Sequence, residues 1–285
     1  MTFVSGLLAG SFLNVVSDRL ESGKSVVYGR SVCDYCGKTL TKWELIPLLS
    51  YFIQKGRCSK CQHKLSWFYP VSEFITGVTF VGLAYWIKVF EMPSLLNWVL
   101  FGFYVVLFSF LIVIFLSDLK YMVIYDRVVI PAIITSALFL ILWNLYYVFE
   151  LYLNLKSSVF GKYMLEAGFL KNHALINVKD VGYTFLCALA IALFFLFLIY
   201  VTKGRGMGGG DVKLGFLIGL INGFPNALVA IFLGFLLGAI YSVGLVLIKR
   251  KGLKDMIPFG PFLILGCVIT LFYGNQIISW YIKLL

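Results

Sequence analysis

The chain has 285 residues, of which 61% are hydrophobic and only 13% are charged. Soluble domains are typically about 45–50% apolar and about 25% charged, so a water-soluble enzyme and a disordered chain are both excluded. The apolar runs are long and do not alternate with polar residues, which favours membrane-spanning helices over an outer-membrane barrel. The sequence therefore predicts an all-α polytopic membrane protein.

Eight segments are candidates for membrane spans, since a helix needs about 20 apolar residues to cross the hydrocarbon. They are 1–18, 69–90, 95–117, 128–150, 181–202, 212–224, 226–248 and 257–281. The first could instead be a secretory signal peptide. No Lys or Arg precedes Arg19, however, so we expect an uncleaved helix there.

The net charge of +11 is distributed unevenly along the chain. Eighteen of the 24 Lys and Arg residues lie in four loops that share one side if eight spans alternate: 19–68, 118–127, 203–213 and 249–254. Basic loops mark the cytoplasmic side, so we predict that these four are cytoplasmic and that both termini are outside. This topology accounts for the charge, and we expect no nucleic-acid binding. The segment 151–180 should form an external, weakly amphipathic loop.

The segment 19–68 contains two Cys-x-x-Cys pairs separated by 21 residues. The pairs are Cys33 with Cys36, and Cys58 with Cys61. This spacing is typical of a structural zinc site with four thiolate ligands. Disulfides or redox dithiols are the alternatives, but a cytoplasmic location argues against disulfides. A metal would also help a segment with so small a core to fold.

Two aspartates stand at the ends of apolar helices. Asp118 follows the 95–117 span, and Asp211 begins the sixth span. Carboxylates at membrane depth are costly and indicate function, and two at one face can share a proton during hydrolysis. The alternatives are an interfacial residue for Asp118 and a helix N-cap for Asp211.

Three glycines, Gly208, Gly209 and Gly210, immediately precede Asp211. Glycines at a helix start expose the backbone and would let a substrate chain approach closely. A phosphate-binding loop is disfavoured, because no Gly-Lys-Ser/Thr follows. Asp126, just before the 128–150 span, is expected to be a helix cap rather than a catalytic residue.

Several motifs resemble, in order, those of bacterial type IV prepilin peptidases. Residues 203–213 look like the G-x-G-D motif of that family, and residues 118–126 look like its other aspartate motif. Further motifs typical of the family are the paired Cys-x-x-Cys sequences and segments 10–16, 46–51, 69–73 and 257–263.

The resemblance implies a GxGD-type aspartic membrane protease with Asp118 and Asp211 as its catalytic pair. Such enzymes cleave the leader from type IV prepilins and pseudopilins at the cytoplasmic membrane face. They then methylate the new N-terminal residue with S-adenosylmethionine. The implied organisation is a first transmembrane helix over 1–18, a cytoplasmic zinc-binding domain over 19–68 and a peptidase membrane domain of seven helices over 69–285. The residues that bind S-adenosylmethionine are not indicated.

Three other functions stay open at this stage. The first is a peptidase without methyltransferase activity, and the second is a non-catalytic assembly factor of a secretion machine. The third is a zinc or other ion transporter, which would need acidic or His residues near the bilayer midplane. Glu73 is the acidic residue clearly inside a span, and it lies near one end. The sequence distinguishes neither type IV pili from type II secretion nor one oligomeric state from another.

Overall fold

The computed structural model describes residues 1–26, 28–33, 35–204, 206–248 and 257–284. The regular elements of these residues are ten α-helices and one short 3-10 helix, Trp43–Leu45. The α-helices are α1 Thr2–Glu21, α2 Leu49–Ile53, α3 Phe68–Trp86, α4 Leu95–Tyr121, α5 Asp126–Ser157, α6 Val159–Glu166, α7 Phe169–Val201, α8 Gly209–Asn222, α9 Asn226–Leu247 and α10 Gly260–Leu284.

Each of the eight predicted spans corresponds to a helix. Within the described residues, five helices are long and apolar enough to cross a membrane: α4, α5, α7, α9 and α10. Helices α1 and α3 are not among these five. Helix α8 has 14 residues, so it is only about 21 Å long, against a hydrocarbon core of about 30 Å. The all-α multi-pass class is confirmed, and the count of eight spans stays a prediction.

The segment 151–180 is helical over most of its length rather than an open loop. Helix α5 extends past residue 150 and ends at Ser157. Helix α6 follows, and α7 begins at Phe169, well before the predicted start of the next span at residue 181. The breaks are brief: Ser158 caps α6 through the N–H of Gly161, and Gly168, at φ 78°, precedes α7. Residues 151–180 contain no proline, which would end a helix. The polar residues of this segment are therefore accommodated within helices.

The chain divides into two compact units, which are described separately. The first is Met1–Tyr121 and the second is Met122–Leu285. Asp118 belongs to the first unit and Asp211 to the second.

In the first unit, α1 packs closely along α3. A Cβ atom on Gly6 would lie 2.8 Å from the Cα atom of Gly77, and one on Gly10 would lie 2.9 Å from the Cα atom of Glu73. Small residues four apart let membrane helices approach to backbone contact. One turn further on, the buried Asn14 donates a hydrogen bond to the hydroxyl of Ser72 at 2.8 Å. Helix α4 packs against both α1 and α3.

In the second unit, α8 is the central helix, because it contacts α5, α7, α9 and α10. Its side chains Leu214, Leu217 and Ile218 are fully buried. Most residues from Leu214 to Leu220 are buried, so neighbouring helices rather than lipid cover much of this short helix. Asp211 is carried at the start of this central helix.

Candidate active site and metal centre

The four cysteines predicted to bind zinc lie together. Their Sγ atoms are all within 4.8 Å of one another. The Sγ–Sγ distances are 3.9 Å from Cys33 to Cys61 and 4.0 Å from Cys36 to Cys58. Tetrahedral zinc with Zn–S bonds of about 2.3 Å separates its sulfurs by about 3.8 Å, whereas a disulfide needs about 2 Å. The cluster therefore fits one tetrahedral metal ion, and all four thiols are free.

The two Cys-x-x-Cys turns share one backbone conformation. In each, the N–H of the first cysteine donates to the carbonyl five residues later at 2.9 Å: Cys33 to Lys38, and Cys58 to His63. The residue after the second cysteine has a positive φ in both turns, 66° at Gly37 and 56° at Gln62. Glycine adopts this conformation without strain, so the first turn has the better-suited residue.

The pKa values of two thiols in the cysteine cluster are shifted in opposite directions. Hydrogen bonds from the N–H groups of Cys61 and Lys60 lower the pKa of Cys58 to about 6. At Cys61 the N–H of His63 has the same effect, but desolvation and the neighbouring sulfurs outweigh it and raise the pKa to about 11. A thiolate is thus available at Cys58 near neutral pH, and metal binding would displace protons from the other thiols.

Glu44 links the two cysteine turns outside the sulfur cluster. Its Oε1 accepts hydrogen bonds from Lys38 Nζ at 2.7 Å and from the hydroxyl of Ser59. Its Oε2 accepts from the N–H of Thr41 at 2.8 Å. These bonds, that of Lys38 first, lower the pKa of Glu44 from 4.5 to about 2. We did not identify Glu44 from the sequence, although Thr41-x-x-Glu44 has the spacing of a capping box.

Residues 28–67, which contain the four clustered cysteines, are called the cysteine domain here. We expect Glu44→Gln to lower the free energy of unfolding of this domain by an amount that does not change between about pH 5.5 and 8. A carboxylate whose pKa is lowered by folding contributes fully above its unfolded value, 4.5 for Glu44, and loses that contribution as pH falls toward 2. Hydrogen exchange of residues 28–67 measures the difference in the free energy of opening. Glu91→Gln, at an exposed site, is the control. A difference that shrank between pH 8 and 6 would contradict this account.

Asp118 lies in the last turn of α4, three residues before the helix ends at Tyr121. It is 5% exposed. The preceding residue, Ser117, is also buried, and its hydroxyl lies 3.1 Å from that of Ser17 on α1. The predicted position at a helix end therefore agrees with the structure.

Asp211 is the third residue of α8 and is 8% exposed. Its Oδ2 accepts the N–H of Gly208 at 3.1 Å. Gly208 itself occupies the N-cap position, so Asp211 is not the N-cap residue. Free N–H groups and the positive end of the macrodipole stabilise a carboxylate at this point.

The three glycines before Asp211 differ in their surroundings. A Cβ atom on Gly209 would meet nothing within 4 Å, and one on Gly208 would meet only Asp211 Oδ2, at 3.8 Å. A Cβ atom on Gly210 would instead lie 2.8 Å from the Cβ atom of Ile124. Gly210 is thus required for packing inside the second unit, and an approach of substrate to Gly208 and Gly209 stays a prediction.

Asp126 is not the cap of α5. The N-cap residue is Tyr125, and no side chain caps the helix there. The carboxylate of Asp126 instead forms an ion pair with Lys213, two residues after Asp211. The side chains are 57% and 41% exposed respectively, and exposed pairs contribute only about 0–1 kcal/mol. The pair connects the beginnings of α5 and α8.

Comparison with known families matches two segments of the chain. The Bacterial Peptidase A24 N-terminal domain matches residues 4–87, which include the four clustered cysteines. The Type IV leader peptidase family matches residues 157–243, which include Asp211. Asp118 lies between the two matched segments.

Relatives named prepilin leader peptidase/N-methyltransferase are similar over nearly the whole chain. The relative from Bacillus subtilis (strain 168) is 32% identical, with 99% of this chain and 97% of the relative covered. Those from Aeromonas salmonicida (strain A449) and Pseudomonas aeruginosa (PAO1) are 29% and 28% identical, with 99% of this chain and 93% and 92% of each relative covered. No solved structure gives a significant match. With such similarity along its whole length, the chain belongs to the prepilin leader peptidase/N-methyltransferase family of membrane enzymes.

Proposed function

We propose that this chain cleaves leader peptides from type IV prepilins and pseudopilins and then methylates the new N-terminal residue. The observation that carries the proposal is the match to two-activity relatives over 99% of the chain. That match spans both the cysteine cluster and the two helix-end aspartates. S-adenosylmethionine would supply the methyl group, and the proposal assigns no residues to its binding.

We propose Asp118 and Asp211 as the catalytic aspartates. In hydrolysis by two carboxyl groups, the ionised one takes a proton from water while the protonated one donates a hydrogen bond to the scissile carbonyl. A helix start favours an anion and a helix end disfavours one, by about 0.3–2 kcal/mol. The hydrogen bond from Gly208 also favours the ionised form of Asp211. We therefore assign the base role to Asp211 and the acid role to Asp118.

This assignment predicts which variant loses the protonated carboxyl. Isotope-edited infrared spectra of resting enzyme should show a protonated-carboxyl band in the wild type and in Asp211→Asn. The band should be missing from Asp118→Asn, because that residue holds the proton. Cleavage should also fall on both sides of a pH optimum, since the pair needs one shared proton. A band that survives Asp118→Asn and disappears in Asp211→Asn would reverse the two roles.

The remaining assignments concern the metal site, the membrane topology and the domain boundaries. Cys33, Cys36, Cys58 and Cys61 would hold one structural zinc ion, because four thiolates leave no open position for chemistry. The loop 19–68 and both aspartates would face the cytoplasm with the termini outside, as the basic loops indicate. We retain the division into a first helix over 1–18, a zinc domain over 19–68 and a peptidase domain over 69–285.

The proposal is tested by incubating the purified chain in detergent with a prepilin and S-adenosylmethionine. Mass spectrometry should show loss of the leader and then addition of one methyl group. Asp180→Asn, at an exposed aspartate of α7, is the matched control and should behave as wild type. Cleavage without methylation would reduce the function to a peptidase. The absence of both, together with ion uptake by reconstituted vesicles, would favour the transporter instead.

A further inference from the structure

The last turn of α1 carries a carboxylate that the proposed chemistry does not use. Oδ1 of Asp18 accepts hydrogen bonds from Lys120 Nζ at 2.8 Å and from the hydroxyl of Tyr121 at 2.9 Å. Its Oδ2 accepts from the hydroxyl of Tyr69 at 3.0 Å. One side chain of α1 is thereby bonded to the start of α3 and to the end of α4.

The ion pair between Asp18 and Lys120 is partly buried. The Lys120 side chain is 16% exposed and that of Asp18 is 30% exposed. Lys120 Nζ also lies 4.5 Å from the ring centroid of Phe68 and 4.4 Å from that of Tyr69. Two aromatic faces and a carboxylate therefore fix the ammonium group, in contrast to an exposed pair whose side chains move freely.

These contacts enclose the turn that carries Asp118. Ser117 precedes it and contacts Ser17, while Lys120 follows it and contacts Asp18. The last four carbonyls of a helix lack intrahelical partners, so an unsupported last turn frays. Adjacent residues of α1 thus hold α4 on both sides of Asp118.

We propose that Asp18 is a positioning residue for Asp118. Through Lys120 and Tyr121 it fixes the last turn of α4, and so the direction in which the Asp118 carboxyl group points. The inference rests on the proposed catalytic role of Asp118. Asp18 itself does not react. A displacement of a reacting group by about 1 Å can slow a reaction about 100-fold, so the anchoring of this turn affects the rate.

Asp18→Asn keeps the shape of the side chain and removes its charge. We expect kcat for leader cleavage to fall about 10- to 100-fold, with KM changed by less than about twofold. Methyl transfer to a peptide that already has the mature N-terminus should change by less than about twofold, because the role proposed for Asp118 is confined to leader cleavage. Asp180→Asn is the control for the chemical change and should match wild type throughout.

Two readouts separate positioning from general destabilisation. A loosened Asp118 couples less strongly to its partner, so the limbs of the pH profile should move toward each other in Asp18→Asn. If Asp18→Asn only made the protein less stable, the cleavage rate would fall by the same factor at every pH. Lys120→Met should reproduce the Asp18→Asn defect, Lys120→Arg should restore most of the activity, and the Asp18→Asn/Lys120→Met double variant should be no worse than either.

The outcomes also distinguish this inference from the proposed function. An active Asp118→Asn enzyme would overturn the proposed function and, with it, the role of Asp18. An inactive Asp118→Asn beside an Asp18→Asn enzyme with wild-type kcat and pH profile would overturn the inference alone. If Asp18→Asn does not fold, Tyr121→Phe removes a single donor and gives the same test, with an expected loss in kcat of about two- to tenfold.

Discussion

Asp118→Ala and Asp211→Ala are each expected to abolish leader cleavage, with losses of at least about 1,000-fold in kcat. The reason is that two carboxyl groups sharing one proton act as a unit, so the loss of either removes most of the rate enhancement. Single-turnover cleavage of a prepilin by the purified variants measures this. Methyl transfer to a peptide with a mature N-terminus reports that each variant is folded.

The matched contrast is Asp126→Ala, which removes a nearby aspartate from the same second unit as Asp211. Asp126 is 57% exposed and paired only with Lys213 among the ion pairs of the described residues. Its loss should leave cleavage within about tenfold of wild type, as expected for a weak surface pair. Substantial cleavage by either Asp118→Ala or Asp211→Ala would refute the catalytic assignment. Complete inactivity of a folded Asp126→Ala would bring that residue into the mechanism.

Removal of the metal should unfold the cysteine domain. In the described part of residues 22–67, the buried residues are Cys33, Pro47 and Cys58, so two of the sulfur ligands make up much of the small core. Structural zinc contributes about 10–16 kcal/mol of apparent binding free energy in small zinc-finger peptides. We expect one zinc ion per chain, and we expect Cys58→Ser to lose it together with the hydrogen-exchange protection of residues 28–67.

Elemental analysis and hydrogen exchange on the same purified samples check this prediction. Cys187→Ala is the control, since Cys187 lies in α7 and is not one of the four clustered cysteines. It should keep one zinc ion per chain. A metal-free wild-type protein with a protected domain would show that the four cysteines are not a zinc site.

Hydropathy and spacing were sufficient to predict eight of the ten described α-helices and the cysteine cluster, but not α2 or α6. Long apolar runs select helices in lipid because backbone groups must bond within the segment. Paired Cys-x-x-Cys turns typically supply the four ligands of a single metal ion, so their spacing predicts that the two turns lie side by side. The helical continuation through 151–180 was missed because its polar residues were interpreted as a loop, although nothing there strongly opposes a helix.

The contacts of Asp18 and Asp126 could not be derived from local pattern. The partners of Asp18 lie 51, 102 and 103 positions away, and Lys213 lies 87 positions from Asp126. Such pairs depend on how helices pack, which sequence periodicity does not specify. One signal did exist for Asp18: a carboxylate at a helix C-terminus opposes the macrodipole and so requires a cation or hydrogen-bond donors nearby.

The shortness of α8 has a consequence for membrane thickness. A 14-residue helix is about 9 Å shorter than the hydrocarbon core is thick. Its two ends therefore cannot both lie at the membrane surfaces. If α8 spans the membrane as predicted and its C-terminal end lies at the opposite surface, Asp211 in its first turn lies below the headgroups unless the surrounding bilayer thins. Thinner bilayers relieve such a mismatch at a modest cost per ångström. The scissile bond of a substrate would have a shorter way to travel to Asp211 in short-chain lipids, which makes acyl-chain length a determinant of how readily this enzyme is reached.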